Sequence, residues 1–106
     1  MIYSTRFYAG LVPGAAAMTL WTTPAGYVDV IKTVVVSPES DGDPDYGHLY
    51  IAVTGNPPVL ATSSLAYREE LLWNGRMVIN AGESVRWAGT TRDYKVSVSG
   101  YRLVQL

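Results

Sequence analysis

Four acidic residues at alternate positions in one polar segment are the best candidates for a cation site in this sequence. They are Glu39, Asp41, Asp43 and Asp45. Carboxylate oxygens suit hard cations such as Ca²⁺, and Asp-x-Asp-x-Asp spacing opens an EF-hand loop. The pattern then departs from that loop, because Tyr46 stands where the loop needs Gly and Ala52 where it needs a bidentate Glu. A solvated acidic loop is therefore the preferred interpretation, a weak Ca²⁺ site is the alternative, and no metal or other cofactor is predicted.

Catalysis by a nucleophile or by paired carboxylates has little support in the sequence. His48 is the single histidine, and no serine lies in the G-x-S-x-G elbow that many hydrolases use. Glu69 and Glu70 are adjacent, so in a strand they point to opposite faces and do not converge on one glycosidic bond. The chain has no cysteine, which excludes thiol catalysis and thiolate metal sites. We therefore expect a protein that is not an enzyme.

Length and charge narrow the function classes further. With 106 residues and 11.5 kDa, the sequence predicts a single domain spanning residues 1–106. The net charge is −1 and the eight Lys and Arg residues are scattered, which argues against a nucleic-acid partner. No apolar run approaches the roughly 18 residues that span a bilayer, and the first residues lack the pattern of a signal peptide. We therefore expect no membrane partner.

The residue types favour strands throughout. Val, Ile, Thr, Tyr, Phe and Trp make up 38 of the 106 residues, whereas Lys, Glu and Gln number only seven. Branched and aromatic side chains pack well on pleated sheets, and the ten Gly and six Pro are spaced like turns between short strands. The sequence therefore predicts an all-β fold, namely a single-domain antiparallel β-sandwich, jelly-roll-like, of seven or eight strands.

Apolar alternation and turn residues place the individual strands. The longest β-branched run is Tyr27–Val36, whose two apolar faces favour a central strand or one that carries a bulge. The predicted strands are Ile2–Ala9, Ala17–Thr22, Tyr27–Val36, His48–Thr54, Arg76–Ile79, Ser84–Ala88, Tyr94–Ser99 and Tyr101–Leu106.

Three segments between these strands have their own predictions. Ser37–Gly47 is predicted to be a polar loop, and Asn80–Glu83 to close a hairpin between its flanking strands. Val59–Trp73 fits no single pattern, and within it Tyr67–Leu72 is compatible with one or two helical turns.

The aromatic residues are skewed in type, with eight Tyr and three Trp against a single Phe. Tyr and Trp combine apolar area with a polar group, so they favour protein interfaces and sugar-stacking platforms. In a domain this small, we prefer core or interface packing for Trp21, Trp73 and Trp87 over a carbohydrate site.

Several segments together resemble one class of virion protein. They are Trp73–Ile79, Asn80–Val85, Val96–Leu103, the opening Tyr3–Gly10 and the turn Pro24–Gly26. Their order is similar to that of small β-sandwich virion proteins of tailed bacteriophages, especially those infecting actinobacteria. The resemblance covers most of the chain, while the segment from Ser37 to Tyr67 departs from it.

The resemblance implies a structural role on a virion that assembles in the host cytoplasm. The first expectation is a capsid decoration protein that binds other virion proteins, either major capsid or tail proteins, and works as a homo-oligomer, a trimer by analogy. The stretch Tyr3–Tyr8 is the expected anchoring segment. Two alternatives remain open: a tail-tip or tail-fibre protein that contacts the host surface, and a carbohydrate-binding module. The expected interface residues are Tyr3, Phe7, Tyr8, Trp21, Trp73, Trp87 and Tyr101.

Overall fold

Strands account for nearly all of the structure, which is a computed structural model. It describes the backbone of residues 2–12, 17–38, 45–52, 59–65, 70–89 and 93–105, and the side chains within 6–11, 18–37, 70–87 and 93–105. Eight strands and no helix lie within these ranges, which confirms the all-β prediction. They are β1 (Ile2–Val12), β2 (Ala17–Thr22), β3 (Tyr27–Pro38), β4 (Asp45–Ala52), β5 (Val59–Leu65), β6 (Leu71–Ile79), β7 (Ser84–Gly89) and β8 (Tyr94–Val104).

The strands form two antiparallel sheets of four. The first sheet has the order β1-β8-β3-β6 and the second sheet the order β2-β7-β4-β5. The chain passes from one sheet to the other at every connection between consecutive strands except the one from β4 to β5. Two four-stranded antiparallel sheets connected in this way form a jelly roll. The predicted jelly-roll-like β-sandwich is therefore confirmed.

The core lies between the two sheets and is made mainly of β-branched side chains. On β8, Tyr94, Val96 and Val98 are buried while the residues between them are less so, as the two-residue period of a strand requires. The buried cluster consists of Ile31, Val34, Val36, Ile79, Val85, Trp87, Tyr94, Val96 and Val98.

β3 is an interior strand of the first sheet and carries a bulge at Lys32. Its register with β8 and β6 shifts between Ile31 and Thr33. The extra residue reverses the alternation of side chains, so Ile31 before the bulge and Val34 after it both face the core. Both features inferred from the two-sided apolar pattern, a central position and a bulge, are confirmed.

β8 is one continuous strand through Gly100, whereas the sequence predicted two separate strands there. Each of the two neighbouring strands carries one extra residue opposite this part of β8, namely Phe7 on β1 and Lys32 on β3. A Cβ at position 100 would collide with the carbonyl of Val30. Glycine therefore allows β3 to approach β8 closely at the bulge without interrupting β8.

The predicted hairpin around Asn80–Glu83 is wrong, because β6 and β7 belong to different sheets. The turn crosses the sandwich, so that Ile79 and Val85 enter the same core from opposite sides. Gly82 adopts a φ of 84°, and its N–H donates to the carbonyl of Thr23 at 2.9 Å. The turn is thereby held against the end of β2, and not against a hairpin partner.

Several further boundaries differ from the sequence predictions. The predicted loop Ser37–Gly47 is shorter, since β3 extends to Pro38 and β4 begins at Asp45. Within Tyr67–Leu72, the last two residues belong to strand β6 and are not helical, while residues 66–69 lie outside the described part of the chain.

Candidate functional site

A buried carboxylate, Asp29 on β3, organises one end of the sandwich. Its side chain is fully buried and accepts two hydrogen bonds from Arg102 of β8, from Nε at 2.6 Å and from Nη2 at 2.9 Å. The hydroxyl of Thr23 donates to it at 2.8 Å, and the indole Nε1 of Trp21 on β2 donates at 3.2 Å. Because Trp21 belongs to the second sheet, these contacts tie the two sheets together.

Both members of this ion pair are held in their charged forms. Burial raises the pKa of Asp29, but the hydrogen bonds from Arg102, Thr23 and Trp21, with the charge of Arg102, outweigh it and leave the pKa below its ordinary value. The hydrogen bond to Asp29 raises the pKa of Arg102. Three of the four bonds go to Oδ2 and one to Oδ1. Because the carboxylate is fully buried and already paired with an arginine, its evident role is to hold the two sheets together.

Aromatic rings enclose the ion pair. Phe7 stacks on Trp21 with ring centroids 4.9 Å apart and planes 9° from parallel. The guanidinium of Arg102 lies 5.8 Å from the ring centre of Phe7 and 5.5 Å from that of Tyr27. Cation–π contacts of this kind stabilise a partly desolvated arginine. The cluster is an inter-sheet clamp, which we call the Asp29–Arg102 clamp.

The predicted interface aromatics are not gathered on one surface. Phe7, Tyr8, Trp21 and Trp73 are half-buried and pack against the core. Trp87 is 1% exposed and lies in the core itself, 5.4 Å from Tyr94 between ring centres. For Trp87 the structure therefore shows packing, and a buried ring is unable to stack on a sugar.

The remaining aromatics have individual positions. The ring of Tyr8 covers Gly10 and its hydroxyl donates to a main-chain carbonyl at 3.2 Å, while the ring of Trp73 covers Gly75. Tyr101 is half-buried and pairs with β3. Tyr3 pairs in register with β8, and its side chain lies outside the described ones. The interface role of these residues stays a prediction.

The candidate chemical residues fall mostly outside the described side chains. Asp45 and His48 lie on β4 with only their backbone described, and the three acidic residues before Asp45, like Glu69, are outside the described residues altogether. Glu70 is exposed. Among the described residues no cluster of three His, Asp or Glu side chains suits a metal ion, and no helix has the length and apolarity to span a membrane.

The first sheet carries three exposed apolar side chains that were not predicted from the sequence. On the side away from the core, which we call the outer face of the first sheet, Leu11 is 47% exposed, Leu72 59% and Val78 44%. A shallow depression of about 330 Å³ lies on this face over β1, β8 and β3, and Ala9, Ser97 and Lys95 are among its lining residues. The sequence signal for these exposed side chains lay in β6. Because adjacent strand residues point to opposite faces, the pair Leu71 and Leu72 places one leucine on the outer face.

Comparisons with known proteins support the fold. No protein-family model matches the sequence, and no curated protein matches it. A subunit of the disulfide-linked pili formed by Bacillus endospore appendages is 14% identical, with a TM-score of 0.58 over 99% of this chain and 89% of that chain.

Two viral particle proteins are also similar. A chain of the T=1 particles derived from infectious bursal virus is 11% identical, with a TM-score of 0.59 over 99% of this chain and 31% of that one. A chain of the infectious bursal disease virus Gt strain is 12% identical, with a TM-score of 0.56 over 98% and 33%. This chain thus spans about a third of the viral chains. At such identities the similarity concerns the fold alone.

Proposed function

We propose that this protein is a non-enzymatic structural subunit of a tailed-phage virion, namely a capsid decoration protein that acts as a homo-oligomer. The observation that carries the proposal is the jelly-roll scaffold of two four-stranded antiparallel sheets, a fold that this chain shares with a pilus subunit and with viral particle proteins.

The structural neighbours support an assembly role. They are a pilus subunit and viral particle proteins, so this fold serves as a building block in those assemblies. The resemblance of the sequence to virion proteins of tailed phages points in the same direction. The trimer and the major capsid protein as partner rest on that resemblance.

The architecture also suits a subunit that stays rigid while its surfaces are covered by neighbours. The Asp29–Arg102 clamp fixes the two sheets at one end through side chains from β2, β3 and β8. Each sheet ends in edge strands, β1 and β6 in the first and β2 and β5 in the second, that offer backbone groups to neighbours. Part of the stability of such a module comes from assembly.

Immunogold labelling of intact virions with an antibody to this protein tests the proposal. We expect gold distributed over the heads, with particles from a phage lacking the gene as the unlabelled control. Gold confined to one end of the tail would replace decoration with the tail-tip function. Purified particles without gold would contradict a virion role.

A further inference from the structure

One row of residues across the outer face of the first sheet carries both a projection and a recess. By register, Ala9 pairs with Ser97, Ser97 with Val35 and Val35 with Leu72, so the row crosses all four strands. Leu72 projects from the β6 end and is 59% exposed. At the β1 end, Ala9 and Ser97 are small and line the depression of about 330 Å³.

We propose that a second copy of this chain docks on the outer face of the first sheet, with Leu72 of each copy seated in the depression beside Ala9 of the other. The contact has two-fold symmetry, about an axis parallel to the strands that runs between β8 and β3. This rotation exchanges the position of β1 with that of β6 and keeps each row opposite itself. It therefore sets Leu72 of each copy over the depression of the other copy, so that the interface contains this contact twice.

The neighbouring row is compatible with the same arrangement. Arg6, Ser99, Thr33 and Asn74 are aligned by register across the four strands. Thr33 donates a hydrogen bond to Asn74 at 3.1 Å within the chain. Under the two-fold rotation this polar row faces itself, with Arg6 opposite Asn74 and Ser99 opposite Thr33.

The available area matches what a specific pair requires. Strands of 11 or 12 residues rise about 3.3 Å per residue, and four strands spaced about 4.8 Å apart cover roughly 700 Å². Stable interfaces bury about 800 Å² per partner, whereas crystal contacts bury less than about 400 Å². Two sheets also pack naturally face to face at about 10 Å.

Sedimentation analysis of the purified chain tests whether copies pair. We expect a species of twice the 11.5 kDa chain mass. Leu72→Asp should raise the dissociation constant about 100-fold, because two buried leucines lose at least about tenfold each. Val104→Asp is the matched control, since Val104 is 39% exposed on β8 but pairs with Tyr27 outside the contact. A monomer up to about 1 mM, or equal weakening by both variants, would overturn the proposal.

Introduced cysteines test the geometry directly, because the chain has no cysteine of its own. Ala9 and Leu72 stand three strands apart, about 14 Å, which exceeds the roughly 7 Å limit for a disulfide within one chain. Facing sheets about 10 Å apart also exceed that limit, so the double variant Ala9→Cys with Leu72→Cys should form a covalent dimer with a short bismaleimide cross-linker. An equimolar mixture of the two single variants should do so as well, and each single variant alone should not. Single variants that cross-link as readily as the pair, or a double variant that stays monomeric, would contradict the geometry.

This inference rests on the homo-oligomer part of the proposed function, replaces the trimer implied by the resemblance with a two-fold pair, and is independent of the virion assignment. Labelled heads together with a monomeric protein would overturn the two-fold contact and leave the virion role intact. A cross-linked dimer together with unlabelled particles would uphold the contact and remove the virion role.

Discussion

At the residue scale, the Asp29–Arg102 clamp was the feature hardest to predict from the sequence. The two residues are 73 positions apart and meet only because β3 and β8 pair in a register that sets Asp29 opposite Arg102. Period-two alternation predicts that strands exist but not which strands become neighbours. An acidic residue within the apolar run Val28–Ile31 was the available signal, because a buried charge in a strand requires a partner.

Removing the charge of Asp29 should destabilise the protein strongly. Asp29→Asn leaves Arg102 without its buried anionic partner, and breaking such a pair costs about 3–5 kcal/mol of unfolding free energy. Urea unfolding of this variant measures the loss. Glu70→Gln is the control, because Glu70 is exposed, and it should change stability by less than about 0.5 kcal/mol. Equal stability of Asp29→Asn and the wild type would show that the clamp does not hold the sheets together.

The same residue predicts how stability depends on pH. The pKa of Asp29 in the folded protein lies below its ordinary value of 3.8, so folding favours the ionised form. The stabilisation is therefore complete above about pH 4 to 5 and is lost as the pH falls toward the folded pKa. The difference in unfolding free energy between wild type and Asp29→Asn should shrink over that acidic window. A difference that stays constant down to pH 2 would contradict a lowered pKa.

At the element scale, strand positions were easier to predict than strand partners. The bounds of β2, Ala17–Thr22, agree with the prediction, since turn residues flank it on both sides. The hairpin predicted around Asn80–Glu83 failed because a short turn with a glycine looks the same whether it joins neighbours in one sheet or crosses a sandwich. Only packing decides between them.

The close approach at Gly100 gives a prediction for the first sheet. Gly100→Ala places a Cβ against the carbonyl of Val30, so β3 and β8 must separate. We expect a loss of about 1–3 kcal/mol in unfolding free energy, as for overpacked sites. Gly10→Ala on β1 is the matched control, because its Cβ would lie at an ordinary 3.6 Å from the Tyr8 hydroxyl. Thermal unfolding that affects both variants alike would refute the role of Gly100.

At the scale of the whole molecule, composition was enough for the fold class but not for the surface. A chain with 38 branched, aromatic and threonine residues out of 106 predicts sheets, and eight strands in two sheets are what the structure contains. The exposed side chains of the outer face were not predicted, because an exposed Leu72 and a half-buried Leu71 are identical in a sequence pattern. Apolar content therefore predicts that a core exists but not which apolar side chains remain exposed.

The jelly-roll fold and the clamp that joins its two sheets suit the proposed role, in which other protein chains cover part of the surface. The structural neighbours are a pilus subunit and viral particle proteins, which are parts of larger assemblies. In our account the two-fold contact through Leu72 and the attachment to a particle use different evidence, and each has its own test.

The most direct test of the central claim is the protein content of gradient-purified particles, measured by quantitative mass spectrometry. We expect this chain to copurify with the particles at a constant ratio to the major capsid protein, and we expect that ratio to stay unchanged after repeated washing. A chain that is absent from purified particles, or whose ratio falls with each wash, would contradict a structural role in the virion.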